Sequence, residues 1–288
     1  MFEKLRNPLI NFFYSHFFIA SSAFFATLFS MSINRANFQI NSSLEIPFLN
    51  FFGILFVYNY QSILKKIKKY PIHSQQYENW LNKNIVYILI IVMISFFSAL
   101  IIYFKLSYDK KIILLFTATL SLIYILPKGL KNELRSVAFL KIFLIAFTWA
   151  VTTAFVPLQN DFNSFTKFNV IHFLQYFIYY AAISIPFDVR DIKKDNNLIL
   201  TFPNVFGVKK SILLSQCLLI FSIFILLYKN FIFKIPSNII FAEFIALLFA
   251  LSIITFNKKK NDYTVLCFLL DTTILFPFFL MHIFNLIV

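Results

Sequence analysis

Three aspartates at the end of one apolar segment form the main carboxylate cluster of the sequence, in the run Asp188-Val-Arg-Asp-Ile-Lys-Lys-Asp195. Their spacing of three and then four residues predicts that Asp188, Asp191 and Asp195 share one face of a helix. Carboxylates this close repel one another unless a cation neutralises them. The basic residues of the same run can do so as a solvated charge cluster. Mg²⁺ is the alternative, because it binds one or two carboxylates and bridges to substrate phosphates.

The elements around this run are long apolar segments. Of the 288 residues, 60% are hydrophobic and 13% are charged, whereas roughly a quarter of a soluble domain is charged. The apolar blocks are about as long as the 20 residues that a helix needs to cross a bilayer, and the alternating pattern of a membrane barrel is absent. We therefore predict an all-α polytopic membrane protein, with one domain over residues 1–288 and nine transmembrane helices at 9–31, 44–64, 84–104, 111–127, 136–158, 168–187, 211–228, 238–256 and 264–287.

Lysine and arginine are distributed unevenly between the two sides of this topology. Most of the 26 basic residues lie at the N-terminus or in the loops after the second, fourth, sixth and eighth spans, while a minority, Lys229 among them, falls on the other side. Basic loops stay in the cytoplasm, which predicts a multi-pass protein of the cell's inner or plasma membrane with its N-terminus inside and its C-terminus outside.

The formal net charge of +14 fits this bias together with attraction to anionic lipid headgroups. Because the cations are dispersed among membrane loops, no nucleic-acid partner is expected. The three aspartates are predicted to lie on the cytoplasmic side, at the mouth of a membrane bundle. That location favours the metal over the solvated charge cluster.

The aspartate run and the residues after it resemble a known motif. Asp188–Asp195, then Thr201-Phe-Pro203 and Val205-Phe-Gly207, are similar to the second aspartate motif of the UbiA family of intramembrane prenyltransferases. In that family the pattern DxxDxxxD precedes a Thr-Leu-Pro-like stretch and a Leu-Gly before the next helix. The family also has nine helices with its motifs on the cytoplasmic side, so the resemblance covers most of the chain.

A second segment, around the fourth and fifth predicted spans, also resembles the family. It contains Tyr124-Ile-Leu-Pro127 and Leu130-Lys131, followed by Lys141 and Trp149. The family has a Tyr-x-x-Pro, a Leu-Lys and a Lys-to-Trp run in the same order.

The family's first aspartate motif is incomplete in this chain. The family pattern at the end of the second helix is Asn-x-x-x-Asp-x-x-x-Asp, of which Asn59 supplies the asparagine, while Ile63 and Ile67 stand where the aspartates are expected. Lys65 or Lys66 would provide a positive charge beside that position, and a lysine ammonium is a usable phosphate-binding charge.

The resemblance implies a transferase that moves an isoprenyl group from a prenyl diphosphate to a lipophilic or aromatic acceptor, with Mg²⁺ as cofactor. Asp188, Asp191 and Asp195 are then the catalytic metal ligands. The residues expected to bind the diphosphate carry basic or amide groups: Asn59, Lys65, Lys66, Lys131, Arg190 and Lys209. Tyr124, Lys141 and Asp271 are expected to line the cavity, Asp271 because a carboxylate inside a membrane span is often functional; a polar contact between helices is its alternative role.

Two other functions remain open from the sequence. A protein that keeps the fold but no longer ionises a diphosphate would explain the missing first motif. A transporter of an anionic lipid is the second alternative. Outside the aspartate region, Glu243 is predicted to be structural, since the dipole at a helix start favours an acid there. His16 and His172 are predicted to be core or interface histidines.

Overall fold

The computed structural model describes residues 10–37, 44–67, 75–125, 139–159, 166–192, 201–256 and 263–287. Within these ranges the chain is helical and contains no strand, so the prediction of an all-α protein is confirmed. The helices are α1 Phe17–Asn37, α2 Glu45–Ile67, α3 Gln75–Lys83, α4 Ile85–Lys105, α5 Tyr108–Ile125, α6 Leu140–Ala150, α7 Lys167–Asp191, α8 Phe202–Phe233, α9 Ser237–Phe256 and α10 Tyr263–Ile287.

Six helical segments of the described ranges are long and apolar enough to cross a membrane, which confirms the membrane class in part. They are Ile85–Lys105, Leu140–Leu158, Lys167–Asp191, Phe202–Phe233, Ser237–Phe256 and Phe268–Leu286, and α1 contains a shorter apolar stretch. The outer faces of these helices are apolar; on α4, for example, Ile94, Ile101 and Phe104 are more than half exposed. The count of nine spans stays a prediction for α1, α2 and α5, as does the side of the membrane on which the termini lie.

The short helix α3 lies within a region predicted as a loop, so the loop prediction was wrong there. Tyr77 and Leu81 are its two buried residues and are four positions apart. Side chains four apart point to the same face of a helix. They pack against Leu55 and Ile63 of α2 and Ile88 of α4, and this contact holds the short helix against the bundle.

The long helices pack in antiparallel pairs, as the order of their contacts shows. Along α7 and α8, Ala182 pairs with Ser215 and Gln175 pairs with Ser222, so the residue numbers of one helix fall as those of the other rise. Between α1 and α2, Thr27 pairs with Asn50, and Ser15, just before α1, pairs with Asn59.

Helix α6 runs against α7 in the same way, since Lys141 meets Asp188 and Thr153 meets Tyr180. Its first turn therefore lies beside the last turn of α7. We call the end of the bundle that contains Ser15, Asn59, Lys141 and Asp188 the aspartate end, and the other the opposite end.

The helix that begins as α6 continues past Ala150 to Leu158 with a different winding, and the name α6 includes this continuation from here on. Residues Val151–Phe155 form a π-helical turn, followed by a 3₁₀ turn at Val156–Leu158. Asn50 of α2 donates through Nδ2 to the backbone carbonyl of Thr152 at 2.8 Å and to Thr27 Oγ1 of α1 at 2.7 Å. A buried amide thus satisfies a carbonyl of the irregular turn and ties three helices together.

Alanines allow the central helices to approach closely. Ala23 and Ala26 of α1 and Ala242 and Ala250 of α9 are almost completely buried in the main core cluster. Small residues at helix contacts favour association inside a bilayer, where burial from water supplies no driving force. Since the chain has only 3 glycines, alanine provides most of these contacts.

Candidate functional site

The aspartate cluster begins in the last turn of α7. Thr166 caps the start of this helix by accepting the Asn169 backbone N–H at 3.2 Å. The helix then continues through Pro186 to Asp191, so Asp188 and Asp191 lie one turn apart at the aspartate end, as their spacing predicts. Asp195 lies outside the described residues.

Asp188 is buried and forms an ion pair with Lys141. The distance from Lys141 Nζ to Asp188 Oδ1 is 2.5 Å, and the two side chains are only 13% and 2% exposed. A carboxylate removed from water requires a charged or hydrogen-bonding partner. The first turn of α6 supplies it, because α6 runs antiparallel to α7. The structure thus joins a residue predicted to line the cavity to one predicted to bind metal.

Asp191 also has a basic partner, its neighbour Arg190. The guanidinium donates from Nε to Oδ1 and from Nη2 to Oδ2, both at 3.0 Å, which is the strong two-pronged geometry of an arginine–carboxylate pair. Arg190 also lies over the Phe187 ring, 5.2 Å from its centroid. Its charge acts on Asp271 of α10 as well.

Asp271 is therefore close to the aspartates and not isolated within its helix. Two residues further along α10, Thr273 Oγ1 lies 2.6 Å from the hydroxyl of Tyr179 on α7. This contact fixes α10 against α7 just inside the bundle from the aspartates. That Asp271 lines a cavity together with the aspartates stays a prediction.

Asn59 is completely buried at the aspartate end of α2. Its Nδ2 donates to the carbonyl oxygens of Ser15 at 3.0 Å and Leu55 at 2.8 Å, whereas its Oδ1 has no hydrogen-bond partner in the described part of the chain. The amide therefore ties α2 to the chain just before α1 and keeps one oxygen as an acceptor.

The positions of the missing aspartates differ in their surroundings. Ile63 is 7% exposed and packs in the apolar cluster that contains Leu81 and Ile88, while Ile67, at the end of α2, is 68% exposed. At Ile63, apolar packing between α2, α3 and α4 thus occupies a position where the family has a carboxylate.

The other predicted cations lie at the periphery of the aspartate end. Lys65 and Lys66 lie in the last turn of α2 and are partly exposed. Lys209 is exposed on α8. Lys131 is outside the described residues, and so is the side chain of Tyr124, whose backbone lies in α5.

The chain after the aspartates forms a kinked helix start, in line with the motif. The carbonyl of Thr201 accepts the backbone N–H groups of Asn204 and Val205, each at 3.1 Å. Gly207 then adopts a φ of 78°, a conformation that residues with a Cβ rarely adopt. The main part of α8 begins after this glycine, which explains why the motif has a glycine there.

A polar group of three side chains at the same end has no counterpart in the sequence motifs. Tyr77 of α3 donates to Ser62 Oγ at 2.9 Å, and His16 Nε2 lies 3.4 Å from Ser62 Oγ and 3.3 Å from the Tyr77 hydroxyl. His16 has a φ of 61°, in the left-handed region. Burial raises the pKa of Tyr77. His16 and Tyr77 are 61 positions apart, so no local spacing indicates this contact.

The opposite end contains a second buried charge cluster. Lys229 Nζ of α8 lies 3.2 Å from Glu243 Oε2 of α9 and 3.1 Å from His172 Nδ1 of α7. Gln175 donates to Glu243 Oε1 at 2.8 Å, and His172 Nε2 lies 3.2 Å from Ser30 Oγ of α1. The cluster joins four helices.

This cluster corrects one prediction and gives another a different physical reason. Lys229 is not a cation of an exposed loop, because its side chain is 0% exposed inside the bundle. Glu243 is held by an ion pair with Lys229, where the sequence suggested only a helix dipole. The prediction that His172 is a core histidine is confirmed, since it is fully buried.

Asp188 and Asp191 have the right ligand type for a divalent metal, but the described residues place too few such ligands close together. Asp188 and Asp191 supply the carboxylate oxygens that Mg²⁺ prefers. Within the ranges described, however, no group of three or more His, Cys, Asp or Glu side chains is close enough to hold a metal ion. Each of these two aspartates is instead ion-paired with a basic side chain.

Long apolar helices with a charged cluster at one end define a helical membrane protein, and its fold is UbiA-like. A solved UbiA homolog from Archaeoglobus fulgidus bound to GPP and Mg²⁺ superposes with a TM-score of 0.62 at 12% identity, covering 93% of this chain and 99% of that one. The forms bound to DMAPP and Mg²⁺ and to Cd²⁺ give 0.61 at 12% and 0.59 at 13% identity, with the same coverage.

No family model and no curated protein matches the sequence. The structural superpositions nevertheless confirm the resemblance to UbiA prenyltransferases at the level of the fold.

Proposed function

We propose that the protein is a membrane prenyltransferase that moves an isoprenyl group from a prenyl diphosphate to a lipophilic or aromatic acceptor. The observation that carries this proposal is the pair of ion-paired aspartates, Asp188 with Lys141 and Asp191 with Arg190, at one end of an apolar bundle. The UbiA-like fold supports it, because the solved homologs bind the prenyl diphosphates GPP and DMAPP.

In this reaction the bond between the allylic carbon and the diphosphate oxygen breaks, and its electron pair leaves with the diphosphate. The acceptor forms the new bond to that carbon and releases a proton. The departing group carries about three negative charges, so cations fixed in advance near it lower the barrier most effectively. Lys141 and Arg190 are such cations, and Lys65, Lys66 and Lys209 add positive charge at the rim of the same end.

Mg²⁺ is part of the proposal, with Asp188 and Asp191 as its described ligands and Asp195 as the third predicted one. When bound, it would act as a Lewis acid on the diphosphate oxygens. Asn59 Oδ1 is a further oxygen acceptor at the same end.

The interior next to the aspartates suits an isoprenyl chain. Tyr179 and Tyr180 of α7 are buried roughly two turns into the bundle from Asp188, and the Tyr180 ring lies 5.4 Å from that of Trp149. Aromatic faces attract cations, and an apolar interior excludes the water that would capture a carbocation.

A UbiA-fold protein that binds a diphosphate without cleaving it is the second candidate. The specific observation in its favour is Ile63, which fills the position of a family carboxylate with apolar packing.

The decisive experiment uses the purified full-length protein in lipid nanodiscs, with GPP as the probe. Binding is measured with GPP alone. Pyrophosphate release is measured after a membrane lipid extract has been added as the source of a lipophilic acceptor, with Mg²⁺ and with a chelator in its place. We expect GPP binding and Mg²⁺-dependent release. The double variant Asp188→Asn, Asp191→Asn should lose about a hundredfold or more of the release rate, comparable to the loss of transition-state charge stabilisation elsewhere.

Asp109→Asn provides the matched control, because Asp109 lies in the first turn of α5, outside the aspartate cluster, and its loss should leave release unchanged. Melting temperatures of all variants report folding. Full release by the double variant would refute the proposal. Binding of GPP with no release by the unmodified protein would support the second candidate instead.

A further inference from the structure

The charge that neutralises Asp188 belongs to the protein itself. Lys141 lies in the first turn of α6, and its ammonium contacts a carboxylate that is almost completely buried. The pair joins two helices that pack along their length. Lys141 is therefore part of the packed interior of the aspartate end, in contrast to the exposed Lys209.

This contact occupies a place that a divalent cation would need. Magnesium binds carboxylate oxygens at roughly 2.1 Å and keeps an octahedral shell around itself. An ammonium 2.5 Å from Asp188 Oδ1 takes up one of the two oxygens that such a cation would use. Two cations on one carboxylate also repel each other, and this repulsion energy is larger inside a protein than in water because the interior has a lower dielectric constant.

Arg190 differs from Lys141 in this respect. Its carboxylate partner is its sequence neighbour Asp191, and the two side chains are 21% and 13% exposed. The competition is therefore strongest at Asp188.

We infer that Lys141 competes with a divalent cation for Asp188, so that the protein without substrate binds such a cation weakly. The inference concerns the site of the proposed function and rests on it. A bound diphosphate offers the ammonium a second anion, and Lys141 then has a partner other than Asp188. Lys141 thus couples metal binding to the presence of the anionic substrate.

The test is a titration of the full-length protein in detergent micelles with Mn²⁺ alone. Electron paramagnetic resonance detects the bound and free Mn²⁺, and the measured quantity is the Mn²⁺ affinity. Lys141→Met should bind Mn²⁺ about tenfold or more tightly than the unmodified protein, because a positive charge has been removed next to the carboxylate. Lys141→Gln should show the same gain. Lys141→Arg keeps the charge and should bind like the unmodified protein.

Two controls connect the gain to Asp188. The double variant Lys141→Met, Asp188→Asn should lose the gain, and Lys209→Met, which removes an exposed lysine of the same end, should not produce it. Unchanged Mn²⁺ affinity in folded Lys141→Met or Lys141→Gln would overturn the inference.

A further comparison leaves Lys141 unchanged and replaces only Asp188. Because Lys141 already holds Asp188, Asp188→Asn and the unmodified protein should bind Mn²⁺ within about threefold of each other; a tenfold or larger loss in Asp188→Asn would overturn the inference. Mn²⁺ binding involves no prenyl diphosphate. Failure to bind GPP would therefore count against the proposed function alone, and the Mn²⁺ results would still decide the role of Lys141.

Discussion

Replacing Lys229 by methionine would leave Glu243 without its cation at the opposite end of the bundle. The lysine is 0% and the glutamate 3% exposed, and their charged atoms are 3.2 Å apart. Methionine fills much of the same volume, so the main change is electrostatic. Gln175 still donates to Glu243 Oε1, and this hydrogen bond offsets part of the loss.

Removing one partner of a buried ion pair typically costs about 3–5 kcal/mol. Hydrogen bonds between helices in membranes contribute about 0.6 kcal/mol on average, so the remaining Gln175 contact reduces the loss only slightly. We therefore expect Lys229→Met to lower the free energy of unfolding by about 3 kcal/mol. Removal of both charges, in Lys229→Met with Glu243→Gln, should restore most of that loss, because no uncompensated charge remains.

The free energy of unfolding is measured by denaturant titration in micelles, for both single variants and the double variant. Lys210→Met is the matched control, since Lys210 is exposed on the same helix and its loss should change stability by less than about 0.5 kcal/mol. The reasoning is refuted if Lys229→Met is as stable as this control, or if the double variant is less stable than either single one.

Two further predictions concern the region between α2 and α3. Ile63→Asp, which restores the acid of the family motif, should lower the free energy of unfolding by about 3 kcal/mol or more, because the new carboxylate would be buried among apolar side chains; Ile67→Asp, at an exposed position, should cost less than about 0.5 kcal/mol in the same titration. In the folded protein, burial raises the pKa of the Tyr77 hydroxyl above the ordinary value of 10.0. The contribution of neutral Tyr77 to the free energy of unfolding should therefore be complete below pH 10 and should be lost as the pH rises through the raised pKa. Alkaline titration of tyrosinate absorbance, compared with Tyr77→Phe, measures this; ionisation of Tyr77 below pH 10 would contradict it.

The helices that carry long uninterrupted apolar runs follow directly from the sequence. Ile85–Lys105 and Ser237–Phe256 agree with predicted spans to within a residue or two, because lipid-facing backbone must satisfy its own hydrogen bonds. Helix α3 was missed, although Tyr77 and Leu81 show the spacing of a buried helical face. Most residues of α3 are polar, and two buried positions are too few to predict a helix.

The contacts within the candidate site depend on tertiary register, which local patterns do not encode. Asp188 was identified by its spacing from Asp191, but its partner Lys141 lies on another helix and its contact follows only from the antiparallel packing of α6 and α7. Lys229 was assigned to an exposed loop because it stands near the end of an apolar run. Its burial depends on Glu243 and His172, which other helices supply.

The π-helical turn at Val151–Phe155 determines how the two halves of α6 face their neighbours. Each residue added to a helix rotates everything beyond it by about 100°, and a π turn commonly accommodates one such extra residue. Lys141 precedes the turn and Thr153 lies within it, yet both reach α7. Shortening this segment by one residue would make the winding regular, but it would also misalign one of the two contacts. The length of α6 is therefore constrained by what lies at both of its ends, and any relative that lacks the extra residue must compensate elsewhere in the helix.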